Sequence, residues 1–170
     1  MPLDTEIGGD SADAYEDVAA FLAWAESLGY SVAGSPEEPV EQAIRRGTVA
    51  MDGRYRGRWK GTKTYDGQAR DWPRTDVADE DGAVVDDETI PIRIIHASFE
   101  FARRELETQG SMAPDLTRGG AVKRERSKVG PLEEEIEYMD GSSPMTVFTA
   151  IDDLLSGYLK SSNVSFLLRA

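Results

Sequence analysis

His96 is the single histidine of the chain. It stands in the strongest helical pattern, beside an apolar stripe. A general base can sit there, but a packing residue is the commoner occupant of such a position. No Gly-rich phosphate loop, nucleophile elbow or His-x-x-x-His pair accompanies it. No catalytic residue is therefore assigned, and the chain reads as a non-enzyme. Val77–Glu88 parallels a calcium loop, with Asp79, Asp81, Gly82, Val84 and Glu88 at its third, fifth, sixth, eighth and twelfth places. Its first place holds Val77 instead of a carboxylate, so the segment reads as an acidic turn. Cysteine is absent, which excludes disulfides and thiolate metal sites. No metal and no cofactor are expected.

Residues 45–74 are the other chemically suggestive stretch. They hold nine Arg and Lys against three acids, and they interleave Tyr55, Trp59, Tyr65 and Trp72. Guanidiniums for phosphates and flat rings for bases are the ingredients of single-strand binding. Trp59 and Trp72 serve equally well as core anchors of a long loop, and both readings stand open. Arg54, Arg56, Arg58, Trp59 and Lys60 are the candidate contacts, to nucleic acid or to a neighbouring subunit. This basic block sits in a chain of net charge -13. Residues 1–44 carry ten acids and no Lys or Arg, and residues 75–92 carry seven acids and no base. Alternating blocks suit complementary surfaces, toward further copies or toward a polyanion. A solvated surface of a salt-adapted protein is the plainer account, and Arg outnumbering Lys 14 to 5 is compatible with it.

The elements that must position these residues follow from apolar spacing. Ser11 is a plausible N-cap for a helix over 12–28, with Ala14, Val18, Phe21, Leu22, Ala25 and Leu28 at helical spacing and Gly29 at its end. Ser35, Pro36 and Glu38 predict a capping box opening a second helix through about 55, with Gly47 weakening its middle. Residues 56–90 read as a long, mostly irregular loop. Pro91 opens the best helix, with Ile92, Ile95, Phe99, Ala102 and Leu106 in register and Gly110 beyond its end. Strands over 121–128 and 132–138 form a predicted hairpin, with basic and acidic side chains facing across it. A last helix covers about 146–159. The expected fold is α+β, mostly α: a small bundle of about four helices with a long loop, one β-hairpin over 121–138 and an extended C-terminal arm. Residues 1–160 are expected to form one domain and 161–170 a docking arm, in which Val164, Phe166, Leu167 and Leu168 seek a partner surface. No apolar run reaches the roughly 18 residues of a membrane span. The acidic, polar N-terminus does not read as a secretory signal.

Three ordered motifs carry a family resemblance. Arg54-Tyr55-Arg56-Gly57-Arg58-Trp59 closes the second helix. Trp72-Pro73-Arg74-Thr75, the turn Asp79–Gly82, Val85-Asp86 and Ile90-Pro91 lead into the third. Gly120-Ala121-Val122-Lys123-Arg124-Glu125 and Lys128-Val129-Gly130-Pro131-Leu132 precede an acidic strand ending in Tyr138. Over about residues 10–160 the set resembles the phage and prophage family of DnaT-like single-stranded-DNA-binding proteins. Members of that family resemble head–tail connector adaptors of long-tailed phages and gene-transfer particles. This similarity implies a mainly helical subunit in a ring of about twelve copies beneath the portal. The implied partners are other copies of itself, the portal protein, a stopper or tail-completion protein, and double-stranded genomic DNA passing through the channel. The implied place is the neck of the virion, after assembly in the host cytoplasm. The family label implies instead a replication role on single-stranded DNA. The adaptor is the preferred expectation, because the sequence offers binding surfaces and arms without a clear stacking platform. An acidic lumen repels DNA, and the first helix and the loop 75–92 are its candidate walls.

Overall fold

The computed structural model describes residues 2–32, 34–113, 125–129, 132–136 and 149–160. They fall into two compact units, the first comprising the described residues up to 113 and from 149 onward, the second the hairpin. The described part of the first unit holds four α-helices: α1 (Val18–Ser27), α2 (Glu37–Tyr55), α3 (Ile92–Glu107) and α4 (Thr149–Leu155), the last running into a 3-10 turn, Ser156–Tyr158. Two short strands, Thr62–Lys63 and Arg74–Thr75, pair antiparallel inside the long loop as β1 and β2. The second unit holds β3 (Glu125–Val129) and β4 (Leu132–Ile136), also antiparallel. Their register sets Arg126 opposite Glu135 and Lys128 opposite Glu133, in keeping with the expected facing of basic and acidic strands. The result is the mostly helical α+β architecture expected, while the arm 161–170 lies outside the described residues.

The helix boundaries differ from expectation at their N-termini, for identifiable reasons. α1 starts at Val18, capped by Asp17, whose carboxylate accepts from the Ala20 N–H at 2.8 Å. Ser11 does not cap: its hydroxyl donates to Asp4 at 2.8 Å, within a tight loop where Asp13 N–H bonds the Asp4 carbonyl. Ala14 is buried in the same core as Phe21 without being helical, which is why its spacing misled. The other end of α1 is as predicted. Gly29 takes φ 76°, and Tyr30 N–H reaches back to the Ala25 carbonyl at 2.9 Å, closing a Schellman turn. α2 starts at Glu37 with Pro36 as its N-cap and no side-chain cap bond, so the predicted Ser35–Glu38 capping box does not form. Pro39 is harmless in the first turn, where no N–H is needed for the ladder.

Phe21, Trp24, Val40, Ile44, Phe99 and Ala102 form the core between α1, α2 and α3. Phe21 meets Phe99 edge-on with centroids 5.4 Å apart. Each such ring buried contributes about 1.5–3 kcal/mol. α3 buries two sides instead of one stripe. Phe99 and Ala102 face this core, while Ile94 and Phe101 are also fully buried, Phe101 against Tyr55 of α2. Ile92, expected on the buried stripe, is 60% exposed.

Gly47 explains how α2 and α3 come so close. A Cβ at Gly47 would stand 2.5 Å from the Ala102 nitrogen and 2.8 Å from its Cα. Both neighbours are backbone, so nothing flexible can yield. The residue that weakens α2 by propensity is thus required by the crossing. We predict that Gly47→Ala is destabilising. Helix propensity favours alanine by about 1 kcal/mol, but overpacking against a backbone costs about 1–3 kcal/mol or more, so the clash wins. Urea unfolding checks the sign; a stabilised variant would refute the crossing.

Candidate nucleic-acid or subunit interface

The basic, aromatic segment folds largely inward. Tyr55 is fully buried, and Trp59 and Trp72 are each 1% exposed. Their rings form a chain: Tyr55 to Trp59 at 5.5 Å, Trp59 to Trp72 edge-on at 5.7 Å, and Trp72 to Tyr158 edge-on at 5.5 Å. The core-anchor reading of both tryptophans therefore holds, and none of these three rings offers a face to a base. Tyr65, 40% exposed, is the exposed aromatic among the described residues. Its ring rests against Gly8, where a Cβ would stand 2.2 Å from Tyr65 Cδ2.

The cations of the segment are also mostly engaged. Arg74 is half-buried and donates to the carbonyls of Lys60 (2.8 Å), Asp71 (3.0 Å) and Gly61 (2.8 Å), pinning the loop to itself. Burial lowers its pKa. Lys60 donates to the Ala78 and Gly157 carbonyls at 3.0 and 2.7 Å. Arg45 pairs with Asp13 at 3.0 Å, and Arg46 with Glu105 at 3.0 Å. Of the predicted contacts, Arg56 and Arg58 remain exposed, Arg58 with its guanidinium 5.2 Å from the Tyr55 ring centroid. Arg54 is half-buried and lines a groove with Arg45 and Arg46. The structure thus separates the predicted set: Trp59 in the core, Lys60 bracing the loop, Arg56 and Arg58 outside. Val164, Phe166, Leu167 and Leu168 lie outside the described residues. His96 packs near Trp24, with ring centroids 6.2 Å apart, and burial lowers its pKa. In the acidic turn, Asp79 is occupied by the Asp81 and Ala83 N–H groups at 3.0 and 2.9 Å.

Beneath the surface lies a polar clasp that periodicity did not reveal. The Tyr15 hydroxyl donates to Asp52 and accepts from the Asp71 N–H at 3.2 Å. Asp71 in turn accepts from Trp59 Nε1 at 3.1 Å and pairs with Lys63 at 3.5 Å; Arg70 stands 3.6 Å from Asp52. The N-terminal arm, α2 and the long loop are thereby tied at one buried point. A sequence signal did exist: Asp52 and Asp71 are two of only three acids in the basic block.

Burial raises the Asp52 pKa to about 6, against 3.8 for an ordinary aspartate; the Tyr15 hydrogen bond and Arg70 oppose this only in part. The folded state then holds the Asp52 proton more tightly than the unfolded chain. Ionised Asp52 costs stability at neutral pH, and that cost disappears as pH falls from about 6 toward 3.8. Asp52→Asn should be at least as stable as wild type at neutral pH. The difference between the two, on the order of 2 kcal/mol, should close across that window. Urea titrations of both proteins at several pH values check this. A variant less stable than wild type at neutral pH, with the deficit closing as pH falls, would show that the carboxylate is needed in its charged form.

No curated protein and no solved structure matches this chain. One family model does, over residues 1–170, and its description reads "Putative DnaT-like ssDNA binding protein". The match spans the region in which the three motifs lie and extends it to both ends. The chain therefore belongs to the DnaT-like single-stranded-DNA-binding protein family.

Proposed function

We propose that this protein is a structural subunit of a tailed-phage virion, an adaptor that joins the head portal to the tail and acts without catalysis. The observation that carries this reading is the inward use of its aromatics and cations. Trp59, Trp72 and Tyr55 hold the long loop to the helices, and Arg74, Lys60, Arg45 and Arg46 are bonded within the subunit. A segment built this way stiffens a scaffold. The resemblance of that family's members to connector adaptors, expected from the sequence, is the starting point of this reading. In it, about twelve copies form a ring under the portal, with a stopper or tail-completion protein below and genomic DNA passing through. The arm 161–170 docks on the portal through Val164, Phe166, Leu167 and Leu168. Exposed Asp10, Asp17, Glu80, Asp81, Asp86 and Asp87 supply an acidic wall that DNA slides past.

The family description is the observation that favours a second reading, single-stranded-DNA binding in replication. Exposed Arg56 and Arg58 would then make the phosphate contacts, with Tyr65 the available ring.

Two measurements separate the readings. Deleting residues 163–170 should leave the far-ultraviolet circular dichroism unchanged while stopping heads from joining tails. A deletion variant that unfolds would place the arm in the subunit's own core. Titration of a labelled single-stranded oligonucleotide at physiological salt should show weak binding, since the net charge of -13 opposes approach. Submicromolar affinity that is lost in Arg56→Ala/Arg58→Ala would decide for the replication reading.

A further inference from the structure

Arg56, Arg58 and Lys160 are the exposed cations of the first unit that pair with no carboxylate among the described residues. The other exposed ones, Lys63 and Arg93, pair with Asp71 and Glu80. The three stand together. Lys160 N–H donates to the Arg58 carbonyl at 2.7 Å, and the Lys160 ammonium reaches the Gly57 carbonyl, between the two arginines, at 3.3 Å. Neither that carbonyl nor the Tyr55 ring beside Arg58 cancels a charge. Two copies of a chain of net charge -13 repel on most approaches, so this patch is where a second copy can come close.

The surface it meets must be acidic, exposed and partly apolar. The turn at residues 6–10 and the loop tip at 65–69 together form one. Ala69 N–H bonds the Gly9 carbonyl at 3.0 Å, and the Tyr65 ring lies on Gly8. Ile7 and Tyr65 are 50% and 40% exposed, and exposed Glu6, Asp10 and Asp66 flank them in sequence. Those three carboxylates have no ion-pair partner among the described residues. An apolar centre with a charged rim is how specific contacts are built, and a guanidinium stacks on an exposed tyrosine ring. The acidic turn around Val84 fits a ring less well. It lies beside the patch on its own copy, for Lys60 bonds the Ala78 carbonyl and Glu80 backs onto Gly157, three residues before Lys160. Neighbouring patches of opposite charge exchange across a two-fold axis and close a dimer.

We infer that the Arg56–Arg58–Lys160 patch of one copy receives the Ile7–Tyr65 tip of a second copy. The contact joins unlike surfaces, head to tail, so it continues from copy to copy and can close a ring. It supplies the lateral joint that the adaptor reading needs, and it rests on that reading.

Exchange of charge tests the contact. Arg56→Glu/Arg58→Glu reverses the patch and Glu6→Arg/Asp66→Arg reverses the tip. All four positions are exposed, so the far-ultraviolet circular dichroism should not change. Sedimentation at low salt over a range of concentrations should show the wild type assembling, and each variant alone assembling about tenfold or more weakly. An equal mixture of the two should regain assembly, because each reversed patch then meets a reversed tip. If the wild type assembles but either variant assembles equally well, or the mixture regains nothing, this interface is wrong while the ring reading stands. If Arg56→Glu/Arg58→Glu loses only the binding of a labelled single-stranded oligonucleotide, the patch faces nucleic acid and the interface is again wrong. If the wild type does not assemble at any attainable concentration, the interface and the self-assembling ring fall together.

Discussion

The close crossing of α2 over α3 at Gly47 and Ala102 is the contact on which the remaining arrangement hangs. With no Cβ at Gly47, the α2 backbone settles against Ala102 and the end of Phe101. That closeness lets Phe99 and Ala102 share a core with Val40 and Ile44 on one side of α3. On the other side it brings Phe101 to Tyr55. It also sets Arg46 on Glu105, whose second task is to hold the chain beyond α3 through Gly110 and Met112. Burial alone would raise the Glu105 pKa, but those two N–H donors and Arg46 outweigh it and the carboxyl titrates low. The carboxylate is thus a fixed charge at neutral pH.

Electrostatics in this subunit has an inner and an outer part. Inside, guanidiniums and ammoniums bond carbonyls and carboxylates of the same chain, as at Arg74, Lys60 and Arg45. Such bonds are worth most where water is excluded, and they stiffen a loop that has little regular structure of its own. Outside, acids dominate the N-terminal stretch and the turn around Val84, and the exposed Arg56 and Arg58 form a small contrary patch. Among the described residues of the basic block 45–74, most cations are engaged within the subunit, which is the observation behind the proposed structural role. The family is shown by the sequence match; the structural role is our proposal, argued from which side chains are left exposed.

Much of the fold was legible because local rules are strong where they apply. Apolar spacing marked the bodies of α1, α2 and α3, the glycine at 29 marked a left-handed end, and alternating charge marked the β3–β4 pairing. Where two residues competed for one local role, sequence alone could not choose. Ser11 and Asp17 are both cap formers; Asp4, seven residues before Ser11, took its hydroxyl and left the cap to Asp17. Gly47 read as a weakness because propensity measures an isolated helix, whereas its value lies in what packs on it.

The sequence by itself determined the helical bodies, the presence of the hairpin, the charge blocks and the family, since each depends on residues near in the chain or on the whole string. Only the tertiary structure decided which aromatics and cations were available. Trp59 meets Asp71, Tyr15 meets Asp52, and Tyr55 meets Asp152, partners 12, 37 and 97 residues apart. Burial is a property of such distant meetings, and no local pattern carries it. A tryptophan flanked by arginines has the same sequence whether its ring faces solvent or the core, and the partner that folds over it makes the difference.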